Sequence, residues 1–307
     1  MKKIDLRSDT ITLPTKEMLD AIDRADLGDD VFQEDPTVNR LEVLAAKTFN
    51  KEAALFVPSG TMANLVSVLS HCQRGDEVIL GDQAHTFLYE AGGISSFGGV
   101  HSRQLVNQPD GTILLDDIKH AIRKEDVHFP TTRLICLENT HNRCFGMPIS
   151  SDYVNSVAEV AKNDSILVHV DGARIFNAAV SLDISVAELT HEIDSVSFCL
   201  SKGLSAPAGS LLCGSEDFIY RARRNRKALG GGMRQAGILA AAGIIALENM
   251  TERIADDHQN ARALAEGISD IKGISLDLDK IQTNIVYFSL DHPKIESSLF
   301  LDKMCEK

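Results

Sequence analysis

The sequence predicts a three-layer α/β fold, in which helices cover both faces of a mainly parallel sheet. Short β-rich runs alternate with helical patterns through most of its 307 residues. Such alternation is typical of parallel strands joined by helical crossovers. Small and polar residues follow the ends of several runs, where open α/β sheets place their binding sites. A smaller α/β domain is predicted at the C-terminal end.

Composition and charge narrow the function class. Hydrophobic residues make up 44% and charged residues 24%, which excludes a wholly disordered chain. The net charge of −13 repels nucleic-acid phosphates, so the expected partner is a small molecule. The longest apolar run has 10 residues, whereas a membrane span needs about 20. We expect a cytoplasmic protein without a signal peptide, whose six cysteines are reduced and mostly buried.

The elements of the large domain are predicted in chain order. An amphipathic helix at residues 37–50 is followed by a strand at 53–57, which Pro58 ends, and by a helix at 63–72. Further strands are predicted at residues 77–80, 134–137, 166–170 and 195–200. Helices are predicted between them at residues 116–124 and 153–162.

The C-terminal part begins with a long helical region. It covers roughly residues 235–267 and follows three glycines at 230–232. Two strand candidates, 274–278 and 284–290, and a helix near 294–305 complete the chain. We therefore predict a large domain with an N-terminal arm over residues 1–245 and a small domain over residues 246–307.

Lys202 directly follows the predicted strand at residues 195–200. A lysine at a strand end is usually a solvated charge. In a cleft that desolvates it, however, the neutral amine can form a Schiff base with a carbonyl group. On this residue alone, both interpretations stay open.

Asp171 closes the preceding predicted strand. A helix N-cap is the simpler interpretation of an aspartate at such a point. Alternatively, the carboxylate faces a cationic ring nitrogen, a pair that gains roughly 4 kcal/mol at about 4 Å before desolvation costs. Such a pair would keep a pyridine nitrogen protonated. Arg174 follows three residues later, on the same side.

A small polar turn, Ser59-Gly60-Thr61, joins a predicted strand to a helix. Backbone N–H groups in such a turn can surround a phosphate at the helix N-terminus, although many turns of this kind bind nothing. Asp171 and Lys202 lie at the ends of successive predicted strands. The three features together form the set that a pyridoxal 5′-phosphate (PLP) enzyme needs: a phosphate anchor, an acid for the ring nitrogen and a Schiff-base lysine.

Longer strings carry a resemblance to a known family. The chain closely resembles the low-specificity L-threonine aldolases, which have the PLP-dependent transferase fold of the aspartate aminotransferase type. The similarity covers nearly the whole chain. The matching strings are DLRSDTITLPT (5–15), GDDVFQEDPTVN (28–39), FVPSGTMANL (56–65), LENTHN (137–142), HVDGARIFNA (169–178), CLSKGLSAPAGSLL (199–212) and GGGMRQAGILAAAG (230–243).

The resemblance implies which residues hold the cofactor. Lys202 would carry PLP, and Asp171 would pair with its ring nitrogen. Ser59, Gly60 and Thr61 would hold its phosphate. No metal ligand set is predicted.

Further roles are also implied by the resemblance. His85 would stack on the cofactor ring, and Arg174 would lie near the ring oxygen and the substrate carboxylate. Ser8 would help to bind that carboxylate, and His128 would lie near the substrate hydroxyl. Arg234 would reach the phosphate of a neighbouring subunit, which implies a homo-oligomer, a dimer or a tetramer. From the residues alone, a surface position is the simpler interpretation for His85 and Arg234.

The implied reaction is PLP-dependent retro-aldol cleavage of L-threonine or L-allo-threonine to glycine and acetaldehyde. The base that removes the hydroxyl proton is left open between His85, His128 and an ordered water. The alternatives are another PLP-dependent lyase of this fold and a PLP-binding but catalytically impaired form.

Two departures from the family pattern bear on these alternatives. Phe32 stands where relatives commonly have tyrosine, so one hydroxyl near the site is missing. Family members usually continue for some 30 residues beyond the position that aligns with Lys307, and that segment supplies a second carboxylate-binding arginine. Here no arginine follows Arg262. The small domain is therefore expected to be truncated, with weaker substrate affinity.

Overall fold

A computed structural model describes residues 4–291 and 296–305, and its largest element is a seven-stranded sheet. In chain order, β1 to β7 are Ala53–Val57, Glu77–Gly81, His101–Leu105, Thr132–Glu138, Leu167–Asp171, Ser195–Cys199 and Ser210–Gly214. Their order in the sheet is β1-β7-β6-β5-β4-β2-β3. Strands β3, β2, β4, β5 and β6 are parallel, and β7 is antiparallel to both of its neighbours. The prediction of a mainly parallel sheet is confirmed.

Helices connect these strands and continue beyond them. In chain order, α1 to α13 are Lys16–Asp23, Pro36–Thr48, Gly60–His71, His85–Leu88, Gly93–Ser96, Leu115–Ala121, Ser151–Asn163, Ile175–Leu182, Val186–Leu189, Glu216–Ala228, Gly237–Ile245, Ile254–Ser269 and Ser297–Cys305. None of the helices in the described part of the chain is long and apolar enough to cross a membrane.

The three-layer prediction is confirmed by the way strand side chains alternate between two cores. On β4, Ile135 and Leu137 pack into the larger core, which includes residues of α2, α7 and α8. Leu134 and Cys136 face the opposite way, into a second core with residues of α3 and α5. Helices thus cover both faces of the sheet.

Three predicted elements near the C-terminus differ from the structure. The long helical region is divided: α11 continues into a π-helical turn at Ala246–Met250, and α12 begins after the turn at residues 251–253. The strand predicted at 284–290 is only Ser289–Leu290 (β9), and the strand predicted at 274–278 is only Ile274–Ser275 (β8). The two pair antiparallel. Residues just before β9 are held elsewhere, because Thr283 Oγ1 donates to the Gly146 carbonyl and Tyr287 Oη donates to the Asn142 carbonyl.

The last predicted helix lies partly outside the described residues. Lys294, near its predicted start, is among the residues that are not described, and the helix is seen as α13. The division into domains at residues 245 and 246 stays a prediction.

The direction of the strands places the candidate site. β1 and β6 run the same way, because both are antiparallel to β7, and β2, β4 and β5 are parallel to β6. The carboxyl ends of these five strands therefore meet at one edge of the sheet. Residues that follow these ends come together there although they are far apart in sequence.

Candidate active site

Asp171 is the last residue of β5, and only 3% of it is exposed. Its Oδ1 accepts a hydrogen bond from the Ala173 N–H (3.1 Å), and its Oδ2 accepts one from Asn64 Nδ2 (2.8 Å). No lysine or arginine forms an ion pair with it in the part of the chain that the structure describes. Burying a carboxylate without a cationic partner costs free energy, so the environment of Asp171 suits the binding of a cationic group.

Asn64, on the buried face of α3, connects Asp171 to a second acid. Its Nδ2 also donates to Oε1 of Glu90 (2.8 Å). Its Oδ1 accepts from Ser197 Oγ (2.9 Å) and lies 3.3 Å from Nε2 of His169. These four contacts use the full hydrogen-bonding capacity of an amide. The position of Asn64 is therefore fixed from both ends.

A chain of buried hydrogen bonds continues behind Asn64. Nδ1 of His169 is 2.9 Å from Oγ of Ser195, which is 2.7 Å from Nε2 of His71. Burial lowers the pKa of His169 to about 4 and that of His71 to about 3, so both rings are neutral at pH 7. The consistent proton arrangement has His71 donating to Ser195, Ser195 to His169 and His169 to Asn64. Every donor thus points toward Asp171, and the last hydrogen bond of the chain is donated to its carboxylate.

His85 begins α4, and 34% of its side chain is exposed. Its Nδ1 lies 2.8 Å from Oε1 of Glu90, and its backbone N–H donates to Oε2 of Glu138 (2.7 Å). The hydrogen bond to Glu90 is the main cause that raises the pKa of His85, against the effect of burial. Asn64 and Glu90 thus connect His85 to Asp171.

The turn before α3 leaves backbone donors unused. Ser59 Oγ caps the helix by accepting from the Met62 N–H (3.2 Å). Within the described residues, the N–H groups of Gly60 and Thr61 have no hydrogen-bond partner, as is usual for the first turn of a helix. A Cβ on Gly60 would lie 2.8 Å from Sγ of Cys199, so the close approach of α3 to β6 requires glycine. These free donors can bind an anion.

Lys202 lies three residues after β6 and is half-buried. Its backbone is fixed, since its carbonyl accepts from Thr12 Oγ1 (2.8 Å) and from the Ser205 N–H (2.8 Å). Its Nζ makes no hydrogen bond or ion pair with any described residue. Because β5 and β6 are adjacent and parallel, this amine and the Asp171 carboxylate follow neighbouring strand ends.

Arg174 forms a bidentate ion pair with Asp9 of the N-terminal arm. Its Nε lies 2.7 Å from Oδ2, and its Nη2 lies 2.7 Å from Oδ1. Burial acts to raise the pKa of Asp9, but the hydrogen bonds and charge of Arg174 outweigh it and lower that pKa. Smaller contributions in the same direction come from Asn284 and Lys202. Nη1 of Arg174 is not used by this pair.

The other predicted site residues lie on the surface. Ser8 is exposed, and its Oγ accepts from the Thr10 N–H (3.2 Å). The His128 side chain is 80% exposed, with Nδ1 2.7 Å from Oδ1 of Asp126. The Arg234 side chain is 54% exposed and donates to Oδ2 of Asp29 (2.8 Å). Among the described contacts, none connects His128 or Arg234 to His85, Asp171 or Lys202.

Sequence reasoning missed Asn64 and Glu90 as parts of the site. Asn64 lies in one of the strings that carry the family resemblance, at 56–65, and Glu90 lies in none of them. Only the small residues before Asn64 and the histidine before Glu90 were singled out. One signal was present: Asn64 stands between Ala63 and Leu65, on a helix whose other residues at this point are apolar. A buried amide among apolar neighbours needs hydrogen-bond partners, and these mark a site.

The acids and the histidine could also be considered as metal ligands. One potential ligand atom from each of His85, Glu90 and Asp171 lies within 4.8 Å of the others. However, Asn64 Nδ2 donates hydrogen atoms to both carboxylates from between them. A cation at the centre of this cluster would meet those N–H groups, so the geometry favours a hydrogen-bonded cluster over a metal site.

The sequence profile of the family described as beta-eliminating lyase matches residues 5–291. This match covers most of the chain. The chain belongs to the beta-eliminating lyase family. It is 50% identical over 298 residues to probable low-specificity L-threonine aldolase 2 of Arabidopsis thaliana, an alignment that covers 96% of this chain and 84% of the relative.

Other relatives of this family member agree with that match. Low specificity L-threonine aldolase of Escherichia coli K12 is 48% identical over 284 residues, covering 92% of this chain and 84% of the relative. The crystal structure of a putative L-allo-threonine aldolase from Listeria monocytogenes has a TM-score of 0.74 and 22% identity, with 87% of this chain and 73% of that chain covered. At this identity, the structural likeness supports the fold alone.

Proposed function

We propose that this chain is a PLP-dependent aldehyde-lyase that cleaves L-threonine and L-allo-threonine to glycine and acetaldehyde. The observation that carries this proposal is that the Asp171 carboxylate and the Lys202 amine follow the ends of neighbouring parallel strands. The carboxylate is buried and has no cationic partner among the described residues. Relatives about 50% identical, named low-specificity L-threonine aldolases, support the choice of substrate.

The residues at this edge of the sheet fit PLP. Lys202 would hold it through its amine, Asp171 would pair with its ring nitrogen, and the N–H groups of Gly60 and Thr61, together with Ser59, would bind its phosphate. Bound PLP would supply an electron sink for the bond-breaking step. Asp171 would stabilise the charge that develops, because Asn64 holds its carboxylate in place.

The substrate carboxylate would be bound by Arg174 and Ser8. Asp9 holds two nitrogens of the Arg174 guanidinium in a bidentate pair, which directs the remaining Nη1. A carboxylate held by Arg174 would set the rotation of the substrate and so determine which of its bonds is positioned for cleavage. This contribution is positioning rather than proton transfer.

The hydroxyl proton of the substrate must pass to a base. We propose His85 or His128 for this role. His85 is part of the hydrogen-bonded cluster that contains Asp171, whereas the exposed ring of His128 pairs with Asp126. His85 would also lie against the cofactor ring.

We further propose that the protein works as a cytoplasmic homo-oligomer, a dimer or a tetramer. The exposed Arg234 guanidinium, oriented by Asp29, would reach the cofactor phosphate of a neighbouring subunit. The exposed position of this arginine supports the proposal, since a group that acts on a neighbour must project from its own subunit. Fractionation of cells and light scattering of the purified protein test compartment and subunit number.

The family description also favours a second candidate, β-elimination. Elimination from threonine would release ammonia and a four-carbon keto acid, whereas aldol cleavage releases glycine and acetaldehyde. The purified, PLP-loaded protein is incubated with L-threonine and with L-allo-threonine, and all four products are measured. Equal amounts of glycine and acetaldehyde without ammonia support the aldolase. Ammonia and keto acid would support the lyase, and no product at all would indicate an impaired form.

A further inference from the structure

We propose that Glu90 is a positioning residue that fixes a proton on Nδ1 of His85 and so makes Nε2 the nitrogen that takes the substrate proton. This inference rests on the proposed function for its substrate. The state of the His85 ring, however, can be measured without any substrate. No contact of Glu90 with the cofactor is implied, because Glu90 acts through His85.

The geometry of the pair fixes the tautomer. Oε1 of Glu90 is 2.8 Å from Nδ1 of His85, and a carboxylate oxygen can only accept. Nδ1 must therefore carry a hydrogen, and in the neutral ring the lone pair is left on Nε2. Nε2 makes no hydrogen bond with any described residue. The Glu90 side chain is 2% exposed and the His85 side chain 34%, so the acid lies behind the ring.

Asn64 holds Glu90 in place. Oε1, the oxygen that faces His85, also accepts from Asn64 Nδ2 (2.8 Å). The Asn64 amide is itself fixed by Ser197 and His169, so it cannot turn to present its oxygen to Glu90 without breaking those contacts. Oε2 of Glu90 is buried without a partner among the described residues. Only one oxygen of Glu90 is thus engaged, and it is the one that His85 uses.

The charges around the pair favour a proton on His85. Asp171 on β5 and Glu138 on β4 face the ring, and each acts to raise the pKa of His85. Burial raises the pKa of Glu90, as does the charge of Asp171, while the hydrogen bonds from His85 and Asn64 oppose the rise. Cys136 on β4 is also close to Glu90, and burial raises the pKa of its thiol, so it stays neutral. The ring of Tyr89 lies 5.6 Å from that of His85.

The proton transfer balances without a further reactant. In the neutral ring, Nε2 accepts the hydroxyl proton of the substrate. The electron pair of the O–H bond forms the C=O bond of acetaldehyde, and the pair of the broken Cα–Cβ bond stays with Cα. The imidazolium that results is stabilised by Glu90, as a carboxylate stabilises the histidine of a serine-protease triad.

The tautomer can be measured by NMR of protein labelled with 15N-histidine, both loaded with PLP and free of it. Assignment uses His85→Asn. Above the pKa of His85, we expect Nδ1 to carry the proton and Nε2 to be unprotonated. In Glu90→Gln, whose carbonyl oxygen can still accept from Nδ1–H, we expect the pKa of the ring to fall without a change of tautomer. In Glu90→Leu, which has no acceptor, we expect the ring to change to the Nε2–H tautomer. An Nε2–H ring in the wild-type protein, or an unchanged tautomer in a folded Glu90→Leu, would overturn the proposal.

A matched control exists on the surface. Nδ1 of His191 lies 2.8 Å from Oε1 of Glu192, the same contact as in the site, but both side chains are exposed. We expect Glu192→Gln to leave the His85 signals and the activity unchanged. The signals of His71 and His169 report whether each variant is folded. If Glu90→Leu does not fold, the wild-type spectrum alone decides.

Kinetics provide the second measurement. We expect kcat of Glu90→Gln to fall about 10²-fold with little change in KM, and the acidic limb of the pH profile, where His85 becomes protonated, to shift with the pKa of His85. Glu90→Asp, which restores the charge, should recover part of kcat. Equal kcat in wild type and Glu90→Gln would contradict the role. Failure of the wild-type enzyme to form glycine would instead refute the proposed function, without affecting the measured tautomer.

Discussion

The side-chain amide of Asn64 donates a hydrogen bond of 2.8 Å to Oδ2 of Asp171. Asn64 is on α3 and Asp171 ends β5, so this bond ties the helix that begins at the phosphate turn to the acid expected to face the cofactor ring. The two halves of the proposed PLP site thus share one buried contact. Its removal should disturb the cofactor more than a distant contact of the same kind.

We expect Asn64→Ala to weaken PLP binding at least tenfold, because Asp171 loses a donor that stabilises its charge. Unsatisfied groups on Asp171, Glu90 and His169 should also lower the free energy of unfolding by about 2–4 kcal/mol. Absorbance titration with PLP and urea unfolding measure the two effects. Asn225→Ala is the control, because Asn225 makes one side-chain hydrogen bond to Ser70, away from the site. Wild-type PLP affinity in Asn64→Ala would contradict the assignment.

The Asp9–Arg174 ion pair should affect the substrate more than the cofactor. In Asp9→Asn, Arg174 loses a charged bidentate partner, and we expect KM for L-threonine to rise at least tenfold while PLP affinity stays within about threefold. Steady-state kinetics with saturating PLP test this. Asp217→Asn, which breaks an exposed pair with Arg221, should change neither constant. A loss of PLP affinity alone would show that Arg174 serves the cofactor instead.

Arg234 allows a test of the proposed oligomer. Lys202→Ala and Arg234→Ala should each be nearly inactive. In mixed oligomers, an Arg234→Ala subunit keeps its own Lys202 and gains Arg234 from its neighbour, so one site is complete. We expect random mixing after reversible dissociation to restore about a quarter of wild-type activity in a dimer. If Arg234 acts within its own subunit, mixing restores nothing.

The buried histidines should make stability depend on pH. His71 and His169 have pKa values lowered to about 3 and about 4 by burial, whereas both titrate near 6.5 in the unfolded chain. Between pH 6.5 and 4, the unfolded chain therefore binds more protons than the folded one. As the pH falls through this range, the free energy of unfolding should decrease by about 1.4 kcal/mol per pH unit for each histidine. Above pH 6.5 the contribution is constant.

Urea unfolding at pH 7.5 and pH 5 measures this dependence. We expect His71→Gln to be less stable than wild type at pH 7.5, because its Ser195 contact changes, but to lose less stability on acidification. His120→Gln replaces an exposed histidine and should retain the full wild-type dependence. The same loss on acidification in His71→Gln and wild type would show that His71 is not held neutral.

Much of this site could be predicted from the sequence because strand ends are local signals. Asp171 and Lys202 each follow a β-rich run, and parallel strands bring their ends to one edge whatever the spacing of the runs. The antiparallel strand β7 was missed, since the periodicity of a short apolar run such as Ser210–Gly214 does not distinguish a strand from part of a buried helix. Its presence nevertheless leaves the carboxyl ends of β1 and β6 at the same edge.

The hydrogen-bonded cluster could not be predicted in the same way. Asn64 and Asp171 are 107 residues apart, and Glu90 reaches both Asn64 and His85 only because the fold brings α3, α4 and the end of β5 together. No spacing in the chain encodes such contacts. The partial loss of the strand predicted at 284–290 has a similar cause, since Tyr287 within it bonds to Asn142 and Thr283 just before it bonds to Gly146.

The most direct measurement of the central claim compares wild-type protein with Lys202→Ala, both supplied with PLP and L-threonine. The wild-type protein should show the near-visible absorbance of a lysine-linked cofactor and form glycine and acetaldehyde in equal amounts. Lys202→Ala should bind PLP without that absorbance and form neither product. Retention of the absorbance and of glycine formation in Lys202→Ala would contradict the account.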